Sequence, residues 1–251
     1  NELMRHSGPV LLPKGFSLSA YSVVFKNSSI LTGYANTIFY VVVSTALNLA
    51  LTILGAYVLS RKGFMWGPPI MVLITITMFF SGGMIPTYLL VEGLGMVDTR
   101  LALILPTAIN TYNLIIMRTS FAAVPDALEE SAKIEGANDF QILLRIFIPV
   151  STAVIAVMVL YYAVEHWNSW FQSVLYLRTR SLYPLQLILR EILIMNSLDS
   201  MKENIDITDL DRVADTIKYA TIVISTLPIM VLYPCLQKYF VKGVMIGAVK
   251  G

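Results

Sequence analysis

Glu130-Ser131-Ala132-Lys133-Ile134-Glu135-Gly136, followed after nine intervening residues by Ile146-Phe147-Ile148-Pro149, is the stretch on which the fold turns. It is short and charged, yet long apolar runs flank it on both sides. Pro125 suits the first helical position, because its missing N–H would lack a partner there anyway. Asp126, Glu129 and Glu130 fall in the first turns, where negative charge meets the positive end of a helix. Glu129 and Lys133 stand four apart in the favourable order, worth roughly 0.2–0.5 kcal/mol. Val124, Ala127, Leu128 and Ser131 share one face of small residues, suited to close packing in a groove. Gly136 is placed as a C-cap, where a positive φ lets the chain turn sharply. Pro149 then marks the first turn of the next apolar segment or a kink within it. A chain that only reverses direction between spans needs no such ordered helix. One that receives a push from another protein does.

An amphipathic helix lying on a lipid surface is the competing reading, and it favours Lys and Arg on the polar face. Here Asp126, Glu129, Glu130, Glu135 and Asp139 outnumber Lys133 and Arg145. That acidic balance matches an anionic leaflet poorly. A protein partner carrying basic residues matches it better.

The flanking runs make the chain a membrane protein. It is 56% hydrophobic and only 14% charged, with a mean hydropathy of +0.70. No Asp, Glu, Lys or Arg occurs in residues 27–60, 63–91, 101–117, 146–164 or 219–237. As a helix even the shortest of these reaches roughly 25 Å, near the hydrocarbon thickness of a bilayer. Five membrane-spanning helices and an all-α fold are therefore expected. The formal charge of +2 carries no signal for nucleic acid. Cys235 is alone and the histidines are only His6 and His166, so neither a disulfide framework nor a metal site is expected.

Residues 1–29 read as a polar extracytoplasmic segment, and residues 30–241 as the transmembrane domain. Within it lie the coupling helix at 124–136 and a long outer loop at 168–215. Residues 242–251 form a cytoplasmic tail. Pro68-Pro69 suit the start of the second span, and Ser81-Gly82-Gly83 with Pro86 predict a break in it. The third span is expected over residues 101–120, the fourth over 142–167 and the fifth over 217–240. The balance of Lys and Arg does not orient the chain. Orientation follows from the coupling segment, which must face the cytosol where ATP is, and places Asn1 outside. A further span ahead of Asn1 is the simplest expectation.

The spacing of the opening stretch resembles the E-A-A-x3-G-x9-I-x-L-P loop of ABC importer permeases, with Ser131 for the first alanine and Ile148 for the leucine. Other blocks are similar to carbohydrate importer permeases of the maltose-permease class, more closely to the LplC/YtcP branch. They are Thr77-Met78-Phe79-Phe80-Ser81-Gly82-Gly83-Met84-Ile85-Pro86-Thr87-Tyr88, and residues 161–176 with Trp167-Asn168-Ser169-Trp170. Tyr183-Pro184-Leu185-Gln186 and the terminal Gly247-Ala248-Val249-Lys250-Gly251 agree as well. The resemblance implies an ABC type I importer permease fold with the family's first helix absent, in a bacterial plasma membrane. It implies a second homologous permease, two ATPase subunits and an extracytoplasmic solute-binding protein as partners. It implies an oligosaccharide substrate, with ATP and Mg held by the ATPases and no cofactor on this chain. Glu130, Ser131, Ala132, Glu135, Gly136 and Pro149 are then the ATPase-coupling residues. The tail Gly247, Ala248, Val249, Lys250 and Gly251 is implied to reach between the ATPase subunits.

Two further groups have open readings. Tyr161, Tyr162, His166, Trp167, Trp170 and Phe171 crowd the outer end of the fourth span, as an interfacial aromatic belt does. Aromatic rings beside Asn168, Ser169 and Gln172 equally suit contact with a sugar or its binding protein. Asn110 and Asn113 are expected mid-span and facing the protein interior, as helix–helix glue or as part of a translocation path. Glu165-His166 reads as an interfacial pair beside water rather than a proton relay.

No G-x4-G-K-[ST] loop occurs, so energy must come from another polypeptide. A permease for peptides, amino acids or metals remains the nearest rival. A secondary transporter needs ion-coupling groups within its spans, and the charge-free windows hold none, although carbonyl sites for Na⁺ stay possible. An intramembrane enzyme finds no H-E-x-x-H, the two histidines offer little for a Ser-His or Cys-His pair, and no catalytic residues are assigned.

Overall fold

A computed structural model describes residues 21–22, 28–194 and 220–231. Among the described residues the regular structure is entirely helical. The central element, α1, runs unbroken from Ser28 to Ser60, about 50 Å at 1.5 Å per residue. Its amphipathicity is inverted relative to a soluble helix. Asn36, Tyr40, Ser44, Asn48, Thr52 and Ala56, every fourth residue, are buried, whereas Leu31, Ile38, Val42, Leu54 and Val58 are exposed. Hydrocarbon outside and protein inside produce this pattern, because polar side chains in a membrane seek partners on neighbouring helices.

After the turn at Arg61, α2 (Gly67–Phe79) begins with Pro68 and Pro69 at its first positions. It is followed by α3 (Met84–Gly93) at an angle of 112°. Gly83, with φ 85°, forms the expected break. The third expected span is not one helix. It splits into α4 (Leu101–Ile104) and α5 (Thr111–Ala122). Pro106 has no N–H to continue the ladder, and Asn110 starts α5 as its N-cap, accepting from the Asn113 amide at 3.2 Å.

The short helix α6 covers Asp126–Ile134. The fourth span is also broken. Its first part, α7 (Asp139–Val150), and second part, α8 (Thr152–Trp167), meet at 84°. Leu143–Phe147 form a π-helical turn within α7. The bend falls at Ser151, two residues after Pro149, where the Thr152 hydroxyl donates to the Ile148 and Pro149 carbonyls at 3.3 and 2.6 Å. Pro149 therefore marks a kink within the span, the second of the two readings, rather than the first turn of the span. Then follow α9 (Phe171–Tyr176), a 3₁₀ turn (Arg180–Leu182), α10 (Leu185–Ile194) and α11 (Ala220–Val231).

Among the described residues α1 alone is long and apolar enough to cross a membrane unaided. The pairs α2–α3 and α7–α8 each qualify as one broken span. The fifth expected span is described only through α11. Residues 1–20, 23–27 and 195–219 and the tail residues Gly247, Ala248, Val249, Lys250 and Gly251 lie outside the described residues, as does Cys235.

α1 packs chiefly on α5 and α8, and then on α10. One core, around Tyr57, Met117, Phe121, Phe147 and Tyr162, lies at the α6 end of α1. A second, around Ile30, Trp167, Leu185 and Ile188, closes the opposite end. Gly33 permits that closure: a Cβ there would stand 2.6 Å from Ile188 Cδ1 and 3.2 Å from Leu185 Cα.

Candidate coupling site

Local sequence builds α6 as a rigid unit. Pro125 is its N-cap rather than its first helical residue, with an extended ψ of 131°, and the Pro125 carbonyl accepts from the Leu128 amide at 3.2 Å. Gly136, with φ 82°, sits one residue past the C-cap Glu135. The Ala137 amide donates to the Ala132 carbonyl at 2.9 Å and the Gly136 amide to that of Lys133 at 3.0 Å. This paired closure requires a left-handed residue, and glycine supplies it at least cost. A reciprocal capping box between Asn138 and Gln141 then starts α7. The chain thus leaves one helix and enters the next with its end groups satisfied.

The two faces of α6 differ. On the inner edge, Glu129 pairs with Arg61, and with Lys133 at 2.7 Å. Ala132 and Ala137 pack against the adjoining core. Burial alone pushes the Glu129 carboxyl up. Lys133 and Arg61 outweigh it and hold the group below its ordinary value, while the same contact with Glu129 raises Lys133. On the outer edge Ala127, Leu128, Glu130, Ser131, Glu135 and Gly136 are exposed, and Ile134 is 87% exposed. Ser131, Ala127 and Leu128 therefore share the free face the spacing predicts, but Val124 is buried beneath it. A cavity of about 940 Å³ opens beside α6, lined by Arg61, Lys62, Arg118, Asp126, Glu129 and Glu130 among others.

The residues proposed for a substrate path fall apart into separate places. Asn113 is buried and Asn110, as a cap, is half-buried. Trp167 is buried in the far core, with its ring 6.3 Å from that of Tyr34. Asn168 is exposed and closes α8 by donating to the Val164 carbonyl at 2.9 Å. Trp170 is on the surface, edge-on to Phe171 at 5.7 Å and beneath the Arg190 guanidinium at 5.1 Å. No hydrogen bond or ring contact joins the two asparagines to the tryptophans among the described residues.

Two expectations about the aromatic cluster change. Tyr162 points into the core, with its hydroxyl 2.7 Å from Thr52 Oγ1. His166 is buried rather than beside water, and its Nε2 stands 3.3 Å from Asn48 Nδ2. Asn48 also donates to the Thr107 carbonyl at 2.9 Å. The period-four polar stripe of α1 is the signal that would have located these partners. No group of three or more His, Cys, Asp or Glu side chains suited to a metal occurs among the described residues.

This geometry defines a class: a polytopic membrane subunit with a small exposed helix tied to its bundle. No protein-family model matches the chain. It is 43% identical over 246 residues to the polygalacturonan/rhamnogalacturonan transport system permease protein YtcP of Bacillus subtilis (strain 168), covering 96% of this chain and 85% of that one. It is 44% identical over 241 residues to protein LplC of the same organism, covering 96% and 81%. The fold matches a chain from the crystal structure of a bacterial ABC transporter that imports the acidic polysaccharide alginate. That match has a TM-score of 0.85 and 34% identity, over 93% of this chain and 84% of the other. The chain belongs to the carbohydrate ABC importer permease family. It is a multi-pass permease of the bacterial plasma membrane for oligosaccharides, without a nucleotide site of its own, and partner subunits of the transporter hydrolyse ATP.

Proposed function

We propose that α6 is the surface through which an ATPase subunit drives this permease. The observation that carries the reading is the division of α6 into a tethered inner edge and an exposed outer edge. A helix held by its own bundle on one side and bare on the other suits the transfer of a push. Glu130, Ser131 and Glu135 present the contact surface, Ala132 and Gly136 fix its angle, and Pro149 leads into the bend that follows. This orients the α6 end to the cytosol. The full assembly adds a second homologous permease, two ATPase subunits holding ATP and Mg, and an extracytoplasmic solute-binding protein. The tail Gly247, Ala248, Val249, Lys250 and Gly251 supplies a further contact between the ATPases.

The test is Glu130→Ala in the assembled importer. Insertion into the membrane should be unchanged, because Glu130 is exposed and outside the apolar helices, whereas co-purification with the ATPase should fall. Undiminished co-purification and transport would remove Glu130 from the interface.

A specific observation also favours an acidic oligosaccharide as substrate. One relative is named for polygalacturonan and rhamnogalacturonan, and the similar solved transporter imports alginate. In this chain Arg190 has no carboxylate partner among the described residues. It lies over Trp170 at a pocket of about 360 Å³ that Gln186, Ser225 and Thr226 help to line. An indole face suits a sugar ring, and a guanidinium suits a uronate carboxylate in a paired geometry. Oligogalacturonate should stimulate ATP hydrolysis more than a neutral oligosaccharide of equal length, and Arg190→Gln should erase that preference. Equal stimulation by both sugars in the unmodified importer would refute the acidic reading.

A further inference from the structure

Arg61 stands outside the coupling stretch, at the end of α1 and 68 residues before Glu129. Its side chain is only 18% exposed, and that of its partner Glu129 only 14%. The guanidinium contacts four parts of the fold at once. It pairs with Glu129 of α6, and lies 4.2 Å from the centre of the Phe147 ring in α7. Nη2 donates to the Phe121 carbonyl of α5 at 3.4 Å. Nη2 and Nε also donate to Ser60 Oγ at 2.9 and 3.2 Å, and the Tyr57 ring of α1 is 5.1 Å away. Phe147 in turn meets Tyr57 and Phe121 edge-on, at 5.2 and 5.6 Å.

We propose that Arg61 is a positioning residue of transport, the strut that passes displacement of α6 into α1 and into the bend at Ser151. The proposal rests on the reading of α6 as the ATPase-facing helix. The physical reason lies in the shape of the side chain. A planar guanidinium engages a carboxylate along its edge and aromatic rings along its face simultaneously; an ammonium group cannot. Phe147 belongs to the π-helical turn just before Pro149 and the 84° bend, so the cation joins α6 to the part of the bundle that is already broken. The neighbouring pair Lys62–Asp126 runs between the same two segments, but its side chains are 81% and 54% exposed, and Lys62 makes no cation–π contact among the described residues. It provides the internal control.

The experiment measures three quantities in reconstituted importers: co-purified ATPase, basal ATP hydrolysis, and hydrolysis stimulated by sugar-loaded binding protein. Arg61→Lys keeps the charge and removes the planar stack. Phe147→Leu keeps an apolar side chain and removes the ring, and Phe147→Tyr restores it. Arg61→Lys and Phe147→Leu should retain ATPase within about twofold of the unmodified complex, while the ratio of stimulated to basal hydrolysis falls at least about fivefold. Phe147→Tyr should keep the ratio, because it retains the ring. An unchanged ratio in Arg61→Lys overturns the strut; should that variant fail to assemble, an unchanged ratio in Phe147→Leu overturns it equally. Lys62→Ala should leave all three quantities unaltered, and a loss equal to that of Arg61→Lys would also overturn the assignment. Glu130→Ala separates this inference from the reading beneath it. If Glu130→Ala binds ATPase normally while Arg61→Lys uncouples, the exposed-face contact fails and the strut stands.

Discussion

The two ends of α1 are held by different chemistry. At the α6 end a charged pair does the holding: Arg61 with Glu129, over a bed of Tyr57, Phe121 and Phe147, while the exposed Lys62–Asp126 pair lies to one side of it. At the opposite end most ties are neutral and reach backbone; the exception is Arg100, whose Nη2 donates to Asn36 Oδ1 at 3.4 Å and whose guanidinium lies 4.4 Å from the centre of the Phe39 ring. Asn36 Nδ2 donates to the Ser181 and Tyr183 carbonyls at 2.7 and 3.1 Å, and Tyr40 to the Leu182 carbonyl at 2.9 Å. Thr37 Oγ1 accepts from the Leu185 amide at 2.8 Å, and Tyr34 donates to the Ile224 carbonyl. Neutral bonds to fixed carbonyls lock one geometry. An ion pair held by long side chains tolerates a shift of its two helices and still keeps its partners. Under the proposed function, the α6 end is then the one expected to move under load, and the opposite end the anchor.

The largest effect should come from stripping the charged end. Arg61→Ala leaves the half-buried Glu129 with Lys133 as its remaining partner. The loss should therefore fall between the value of under about 1 kcal/mol for a surface pair and roughly 3–5 kcal/mol for an uncompensated buried charge. Thermal unfolding in detergent should show this loss, and a loss below about 1 kcal/mol would rank the pair with ordinary surface contacts.

Next comes the anchor. Gly33→Val drives a branched side chain into Ile188 and the Leu185 backbone, an overpacking of about 1–3 kcal/mol. It should lower stability without altering the ratio of stimulated to basal ATP hydrolysis. A changed ratio would blur the division between the two ends.

A smaller effect is expected at Asp98, in the turn between α3 and α4. Its side chain accepts from the Arg178 and Thr179 amides at 2.8 Å each and from the Thr179 hydroxyl at 2.6 Å. The Thr179 hydroxyl and these two amides hold its carboxyl below the ordinary value of 3.8. A depressed carboxyl contributes its stability above the ordinary value and loses it as pH falls through the lower, folded one. Amide exchange at Arg178 and Thr179 should thus be protected at neutral pH and in mild acid. Protection should be lost only below pH ~3.8, and in Asp98→Ala at every pH. Equal protection in that variant would show that the clamp does not order this loop.

Much of this was legible beforehand because it depends on local chemistry. Pro68-Pro69, the Gly83 break and the positive φ at Gly136 each follow from what one residue permits. The break at Pro106 was missed because charge-free composition hides a capping asparagine, and Asn110 was read as a buried amide in a continuous helix. The Ser151 bend was offset from the proline that announced it. Arg61 carries no local signal, since a partner 68 residues away leaves no trace in the sequence around it. The tryptophans looked alike in sequence, but Trp167 faces the core and Trp170 the surface, a choice made by where α8 ends.

The coupling role of α6 depends most directly on Gly136, whose φ of 82° closes the helix. No atom crowds its missing Cβ, so Gly136→Val acts through backbone conformation alone, which a β-branched residue adopts at a high cost. The decisive measurement is ATPase co-purification and sugar-stimulated hydrolysis for importers carrying Gly136→Val, at matched levels of membrane-inserted permease. Normal insertion with loss of both assembly and stimulation is the expected result. Full assembly with full stimulation would contradict it and reduce α6 to a connection between spans.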